Sequence, residues 1–464
     1  MSFNELNTVE HFIIHRLTGV NLNNLPAGKA GVHVGMVAEE HVEYDTVKWR
    51  YVQSELLQRE ITDVLLEKEL TTALCRLNPE IAAQPERADE VIHKLRAILI
   101  TVNNVGLVRA NEEFAKWLRG EITLPFGKGE QHIPIRLIDF ENLKNNNYIL
   151  TNQLSIRARE TKIPDTVFFV NGIPLVVGEA KTPVRPAVSW LDGAFDIHET
   201  YENSIPQFFV PNIFSFATEG KELFIGAVRT PLEFWTPWRL EDDKDELEYF
   251  AGLHDISKQL THLLKPSTLI DILQYYTVYA TSNQRKKIKI VCRYQQYEGG
   301  NAIVQRVKEG EIKKGLIWHF QGSGKSLLML FAAQKLRKQQ ELGNPTVLIV
   351  VDRIDLDTQI TATFNTAEVP NMVTTDNIRE LHDLLERDSR KIIITMIHKF
   401  KDAYPDMNKR DNIIVMVDEA HRTHEGDLGR RMRNALPNAF LFGLTGTPIN
   451  KTDKNTFWAF GAEQ

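Results

Sequence analysis

Ile163-Pro-Asp-Thr-Val-Phe-Phe-Val-Asn-Gly-Ile-Pro-Leu-Val-Val-Gly-Glu-Ala-Lys181 consists of two apolar runs joined at Asn171-Gly172. Asn-Gly between such runs signals a tight hairpin, because both residues tolerate the left-handed backbone that the turn needs. Side chains alternate across a strand, so Val177, Glu179 and Lys181 share one face. An acid and a base therefore stand together on an apolar sheet, with Asp165 at the start of the partner strand. Two carboxylates and a lysine can hold a divalent cation beside a phosphate; the plainer reading is a charged strand end. The loop length decides where Asp165 points. A two-residue loop pairs Asp165 with Gly178 and turns it away from Glu179. A three-residue loop, Val170 to Gly172, pairs it with Val177 and makes it the diagonal neighbour of Glu179, roughly 7–8 Å away at the backbone. A cation site here predicts the three-residue loop.

Around this hairpin the chain has 464 residues, enough for two to four domains, and its 42% hydrophobic and 25% charged content is that of a globular protein. Cys75 and Cys292 form no metal or redox motif, which fits a reducing cytoplasm. No signal-peptide core and no membrane-length apolar run is present. A net charge of −6 is not the footprint of a simple DNA-binding domain, so nucleic acid would have to be met by local clusters. Arg285-Lys286-Lys287-Ile288-Lys289, Lys313-Lys314 and Arg430-Arg431-Met432-Arg433 are the candidates, each with a solvated face as the plain alternative.

Before the hairpin, apolar periodicity predicts helices over 4–17, 54–77, 89–101 and 111–118, then strands over 135–140 and 148–156. Glu10 sits beside the first helical stripe, a surface glutamate or a supporting residue at a metal site. After the hairpin come a loop and helix over 186–209 and strands over 214–218 and 223–228. The acidic run 241–248 opens a helical connector. The expected division is 1–240, a connector 241–265, and a second domain 266–464. In the latter, apolar runs at 316–318, 347–351, 392–395, 413–417 and 440–444 alternate with helical patterns. That alternation predicts a doubly wound parallel sheet.

Gln321-Gly-Ser-Gly-Lys-Ser326 follows the first of these strands and opens a helix, the context a phosphate-binding loop requires. Backbone N–H groups of Gly322, Ser323 and Gly324 would close around phosphate oxygens at the positive end of the helix. Lys325 would reach the outer phosphates, and Ser326 would hold Mg²⁺. The strict pattern wants glycine where His319 stands. Asp418-Glu-Ala-His421 ends another strand. There Asp418 can hold the Mg²⁺ water shell and Glu419 can orient or deprotonate the attacking water. Leu444-Thr-Gly-Thr-Pro448 is a turn, or a hydroxyl-bearing loop that senses the nucleotide.

The phosphate loop, Asp418-Glu-Ala-His421 and Thr445-Gly-Thr447 together resemble the first motor lobe of superfamily-two helicases and translocases. Arg293-Tyr-Gln-Gln-Tyr297 is similar to that family's adenine-reading segment, with Arg293 at its start and Gln296 as the reader. With Pro164-Asp165…Glu179-Ala-Lys181 upstream, the whole resembles the restriction (R, HsdR) subunit of type I restriction–modification enzymes. The resemblance implies a restriction-endonuclease-like α/β nuclease domain followed by a RecA-like motor lobe. It implies Asp165 and Glu179 as Mg²⁺ ligands, Lys181 as stabiliser of phosphate charge, double-stranded DNA as substrate, and methylation and specificity subunits as partners.

Three departures qualify that implication. The family often has Gln four residues before a Tyr on the helix after the triplet, where this chain has Ile197 before Tyr201. Met396 stands where a second threonine is usual, implying a weaker DNA-backbone contact. A second motor lobe is expected after Gln464, so the chain reads as truncated, with weak ATP hydrolysis by itself. The competing readings are a non-catalytic docking or regulatory half-motor and an RNA or DNA helicase with an inactive nuclease-like domain.

Overall fold

The computed structural model describes residues 9–22, 47–182, 187–240, 252–282, 284–320, 322–351, 369, 371–375, 377–418, 427–446, 450–451 and 454–455. They divide into two units, Met1–Gln274 with Lys287–Val291, and Tyr275–Lys286 with Cys292–Gln464. Among the described residues, no helix is long and apolar enough to cross a membrane.

A seven-stranded mixed sheet centres the first unit. Its strands are β1 (Arg50–Tyr51), β2 (Tyr148–Asn152), β3 (Thr166–Val170), β4 (Ile173–Ala180), β5 (Phe214–Thr218), β6 (Leu223–Gly226) and β7 (Thr236–Pro237), and they lie side by side in chain order. β1–β2 and β4–β5 pair parallel; the other neighbours are antiparallel. Every residue of β3 and β4 is buried. Both faces are therefore covered, which is why their apolar runs are almost continuous. Phe168 and Phe169 are wholly buried, each a gain of about 1.5–3 kcal/mol. Gly178 carries no side chain because the Phe216 ring lies over it; an added Cβ would sit 2.1 Å from Cζ.

Two periodic stretches take other forms. The helix expected over 54–77 is confined to α1 (Glu67–Leu77). The preceding residues wrap irregularly, held by the Arg59 guanidinium, which donates to the carbonyls of Asp63 (2.7 Å) and Ser155 (2.9 Å), and by the Leu66 N–H on the Gly172 carbonyl (2.8 Å). The strand expected over 135–140 is absent; the short strand Ile133–Pro134 ends before it. There the Asp139 carboxylate accepts the backbone N–H groups of Glu141 and Asn142, closing a turn.

The unit boundary falls after Gln274, later than the 241–265 connector suggests. Helices α2 (Gly252–Leu263) and α3 (Pro266–Tyr275) follow the acidic run. The Trp49 indole donates to the Leu264 carbonyl at 2.6 Å, and that of Trp238 to His262 Nδ1 at 3.2 Å. The basic run Arg285–Lys289 is not one solvated face. Lys287 pairs with Glu112 (3.0 Å), and buried Lys289 donates to the Asn212 carbonyl (2.6 Å).

The second unit has the expected parallel sheet, of six strands. They are β8 (Lys314–Trp318), β9 (Thr346–Val351), β10 (Met372–Thr374), β11 (Ile392–Met396), β12 (Ile413–Asp418) and β13 (Phe440–Thr445), in the order β8-β13-β12-β9-β11-β10. Edge strand β10, only three residues long, has no apolar run to announce it.

Candidate active sites

The hairpin loop has two residues, Asn171 and Gly172, with φ of 52° and 82°. Bonds from the Asn171 side chain to the Leu137 carbonyl (2.9 Å), to Asn146 (2.8 Å) and from the Asn147 N–H (2.8 Å) hold it there. The three-residue loop is therefore corrected, and with it both pairings of Asp165. The extra residue lies in the strand instead: Phe169 pairs with Pro174 but Phe168 with Val176, so Leu175 forms a bulge. The register then runs Val167 to Val177 and Thr166 to Gly178. Continuing that register one residue past the end of β3 would put Asp165 across from Glu179, and the Asp165 charge does act on the Glu179 carboxyl.

Around this pair the side chains converge. Asp165 accepts the Ala180 N–H on Oδ2 (2.8 Å) and the Gln153 amide on Oδ1 (3.0 Å). The same Gln153 nitrogen donates to Glu10 Oε1 (2.8 Å), and Asn152 donates to Glu10 Oε2 (3.2 Å). Glu10 is buried, not a surface glutamate. Glu179 is 3% exposed. Its Oε1 receives the Lys181 ammonium (3.0 Å) and the Tyr201 hydroxyl (3.2 Å), while its Oε2 is buried with no hydrogen-bond partner. Burial, then the Asp165 charge, push the Glu179 carboxyl well above its usual range, against the pull of Lys181. Burial works against the Lys181 charge, but Glu179 and Asp196 outweigh it and hold the ammonium protonated.

A buried, cation-demanding carboxylate with an unused oxygen, opposite a second carboxylate, fits a divalent cation. Among the described residues no group of three or more His, Cys, Asp or Glu is set to hold a metal, so water and substrate oxygens would complete the shell. Gln153 gave no sequence signal; it is a non-glycine residue with φ of 50°.

In the second unit, β8 leads to the phosphate loop and helix α4 (Lys325–Lys338). Gly322 and Gly324 take the left-handed backbone (φ 87° and 82°). His319 is not among the described residues with positive φ, so its backbone conformation does not call for glycine. Ser323 and Ser326 are buried, and the Ser323 hydroxyl has no partner. Lys325 donates to the carbonyls of His319 and Phe320 (both 3.4 Å), within its own loop. Gln296, the expected adenine reader, is 2% exposed; it accepts the Arg293 N–H (2.8 Å) and donates to the Gly324 carbonyl (3.1 Å). Arg293 reaches the Gly322 carbonyl at 3.5 Å. Trp318 pairs with Thr445, and Asp418 with Leu444, so the phosphate loop and Asp418 open on the same end of the sheet, two strands apart. Thr395, on the strand read as a DNA contact, is fully buried and bonded to Thr375 (2.9 Å). Gln321 and Glu419 lie outside the described residues.

Most residues of each site lie in a segment that matches a known family. The family described as type I restriction enzyme R protein N terminus matches residues 39–234, and the SWI2/SNF2 ATPase family matches residues 295–463. The chain belongs to the R proteins of type I restriction enzymes. It is 36% identical over 435 residues to the type I restriction enzyme HindI endonuclease subunit of Haemophilus influenzae, a match covering 87% of this chain and 40% of that protein. A Methanocaldococcus jannaschii protein named as the MjaIXP endonuclease subunit is 30% identical over 86% of this chain and 40% of its own length. Among solved structures, the SWI2/SNF2 ATPase core of Sulfolobus solfataricus in complex with dsDNA is 18% identical, with a TM-score of 0.28 over 39% of this chain and 35% of that one. This R protein sequence thus spans 40% of the length of these two curated relatives.

Proposed function

We propose that this R protein cleaves double-stranded DNA at the Asp165–Glu179–Lys181 site, in an Mg²⁺-dependent reaction coupled to ATP-driven translocation by a motor that includes its second unit. The observation that carries the reading is the unpartnered Glu179 Oε2, buried within reach of the Asp165 charge and with Lys181 on the other oxygen. Asp165 and Glu179 would hold Mg²⁺, which when bound would polarise the scissile phosphate and lower the pKa of a bound water. The chain's own residues do the rest. Gln153 and the Ala180 N–H fix the Asp165 carboxylate. Tyr201 fixes Glu179, and Lys181, kept protonated, stabilises the charge that gathers on the phosphate. A water oxygen bonds to phosphorus, the bond to the leaving sugar oxygen breaks, and that oxygen takes up a proton while the water loses one.

In the second unit, Gly322, Ser323, Gly324, Lys325 and Ser326 would cradle ATP, with Asp418 on the Mg²⁺ side. Arg293 and Gln296 would border the adenine and Glu419 would act on water. The remaining partners are the methylation and specificity subunits.

The test is plasmid cleavage by the assembled complex with Mg²⁺ and ATP, wild type against Lys181→Ala. Loss of cleavage with assembly intact is the expected outcome. Equal cleavage would refute the nuclease reading and leave a docking module.

A further inference from the structure

The helix after the triplet breaks register where the site needs it. Residues 196–201 form a π-helix, whose extra residue per turn places positions five apart on one face. Asp196 and Tyr201 are five apart, and both reach the nuclease site: Asp196 Oδ2 lies 2.6 Å from the Lys181 ammonium, and the Tyr201 hydroxyl 3.2 Å from Glu179 Oε1. Ile197, at the ordinary helical spacing from Tyr201, is fully buried. The residue that the family pattern would make polar is thus turned inward, and its predecessor faces the site. Gly193, one turn earlier, lets this helix lie close, since an added Cβ there would stand 3.3 Å from Glu179 Cγ.

We infer that Asp196 is a positioning residue for Lys181, brought to the nuclease site by the π-turn. An ammonium has three donors. Two are directed at Glu179 Oε1 and Asp196 Oδ2, which leaves the third to point at a phosphate oxygen. Glu179 Oε1 is already shared with Tyr201, and the same carboxylate is the one a cation would draw on. Asp196 gives Lys181 a second anchor outside that competition. At 38% side-chain exposure it stands at the rim and not in the buried pocket of Glu179, so its partner is the lysine and not the cation.

The inference rests on the nuclease reading, and the experiment separates the two. In the assembled complex, Asp196→Asn is expected to slow DNA cleavage on the order of ten-fold, as loss of a charge-positioning contact does, while the Mg²⁺ concentration for half-maximal rate stays within roughly two-fold of wild type. Asp196→Glu, which keeps the carboxylate, recovers most of the rate. Calorimetric titration of the full chain with Mg²⁺ gives the same affinity for Asp196→Asn and wild type. Thermal unfolding confirms that the variant is folded, with the smaller Asp196→Ser as replacement if it is not. A folded Asp196→Asn or Asp196→Ser that cleaves at the wild-type rate overturns the inference. So does a loss of Mg²⁺ affinity, which would make Asp196 a metal ligand. If Lys181→Ala cleaves normally, it is the nuclease reading that fails.

Discussion

Glu202 follows the π-turn directly, 2% exposed, with Oε2 2.9 Å and Oε1 3.2 Å from the Arg229 N–H. Burial pushes its carboxyl up to about 8, although Arg229 and its N–H pull the other way. The same burial pushes the neighbouring Lys289 ammonium well below its usual range, so the interior here favours neutral forms on both sides. The sign of the consequence follows. Between the ordinary glutamate value and about 8, the folded state keeps the Glu202 proton and the unfolded chain releases it, so stability falls as pH rises. Its contribution is complete below about pH 4.5 and gone above about 8, a change of a few kcal/mol at most. Glu202→Gln has no proton to lose and keeps an acceptor for Arg229. Thermal unfolding at pH 5 and pH 8 is therefore expected to show a smaller drop in Tm for Glu202→Gln than for wild type. Equal drops would mean that Arg229 keeps Glu202 ionised throughout.

The hairpin is the element on which both fold and site depend, and its tip is held by one side chain. Asn171 has φ of 52° and bonds to Leu137, Asn146 and Asn147 while fully buried. Asn171→Ala removes those bonds and puts a Cβ-bearing residue without compensation in the left-handed region, at a combined cost of roughly 2–4 kcal/mol. Asn171→Gly loses the bonds but not the backbone preference, so chemical denaturation should find it the milder change; a ranking the other way round would put the turn's strength elsewhere. This element also marks where sequence legibility stopped. Asn-Gly announced the turn, and the shared face of Glu179 and Lys181 followed from strand alternation. The bulge at Leu175 had no signal, because an apolar residue in an apolar strand looks the same whether paired or bulged. Strand Phe214–Thr218 was readable to the residue, being short, apolar and bounded by turn residues. Residues 57–66 were not, because their apolar spacing is helical while their backbone bonds go to the hairpin and to Arg59. Asp196 was hidden behind its neighbour: only a π-turn makes the residue before Ile197 the one that faces the site.

Across the whole molecule the two chemistries occupy separate units, each with its own sheet, and their residues do not overlap in sequence. Lys181 directly follows β4 of the first unit's mixed sheet, where its partners are Glu179 and Asp196. Lys325 opens the helix after β8 in the second, bonded to its own loop. Removing either ammonium should therefore leave the other unit's site folded. In the assembled complex, Lys181→Ala is expected to hydrolyse ATP at the wild-type rate while failing to cut DNA. Lys325→Ala, deprived of the charge proposed to meet the outer phosphates, is expected to lose ATP hydrolysis by at least about 100-fold. If cleavage is driven by the motor, Lys325→Ala also loses ATP-dependent cutting although Asp165, Glu179 and Lys181 are untouched. The informative comparison is thus asymmetric: the nuclease variant spares the ATPase, whereas the ATPase variant silences both. ATP hydrolysis lost in Lys181→Ala would show that the first unit controls the second, and cutting retained in Lys325→Ala would show a nuclease that runs without the motor.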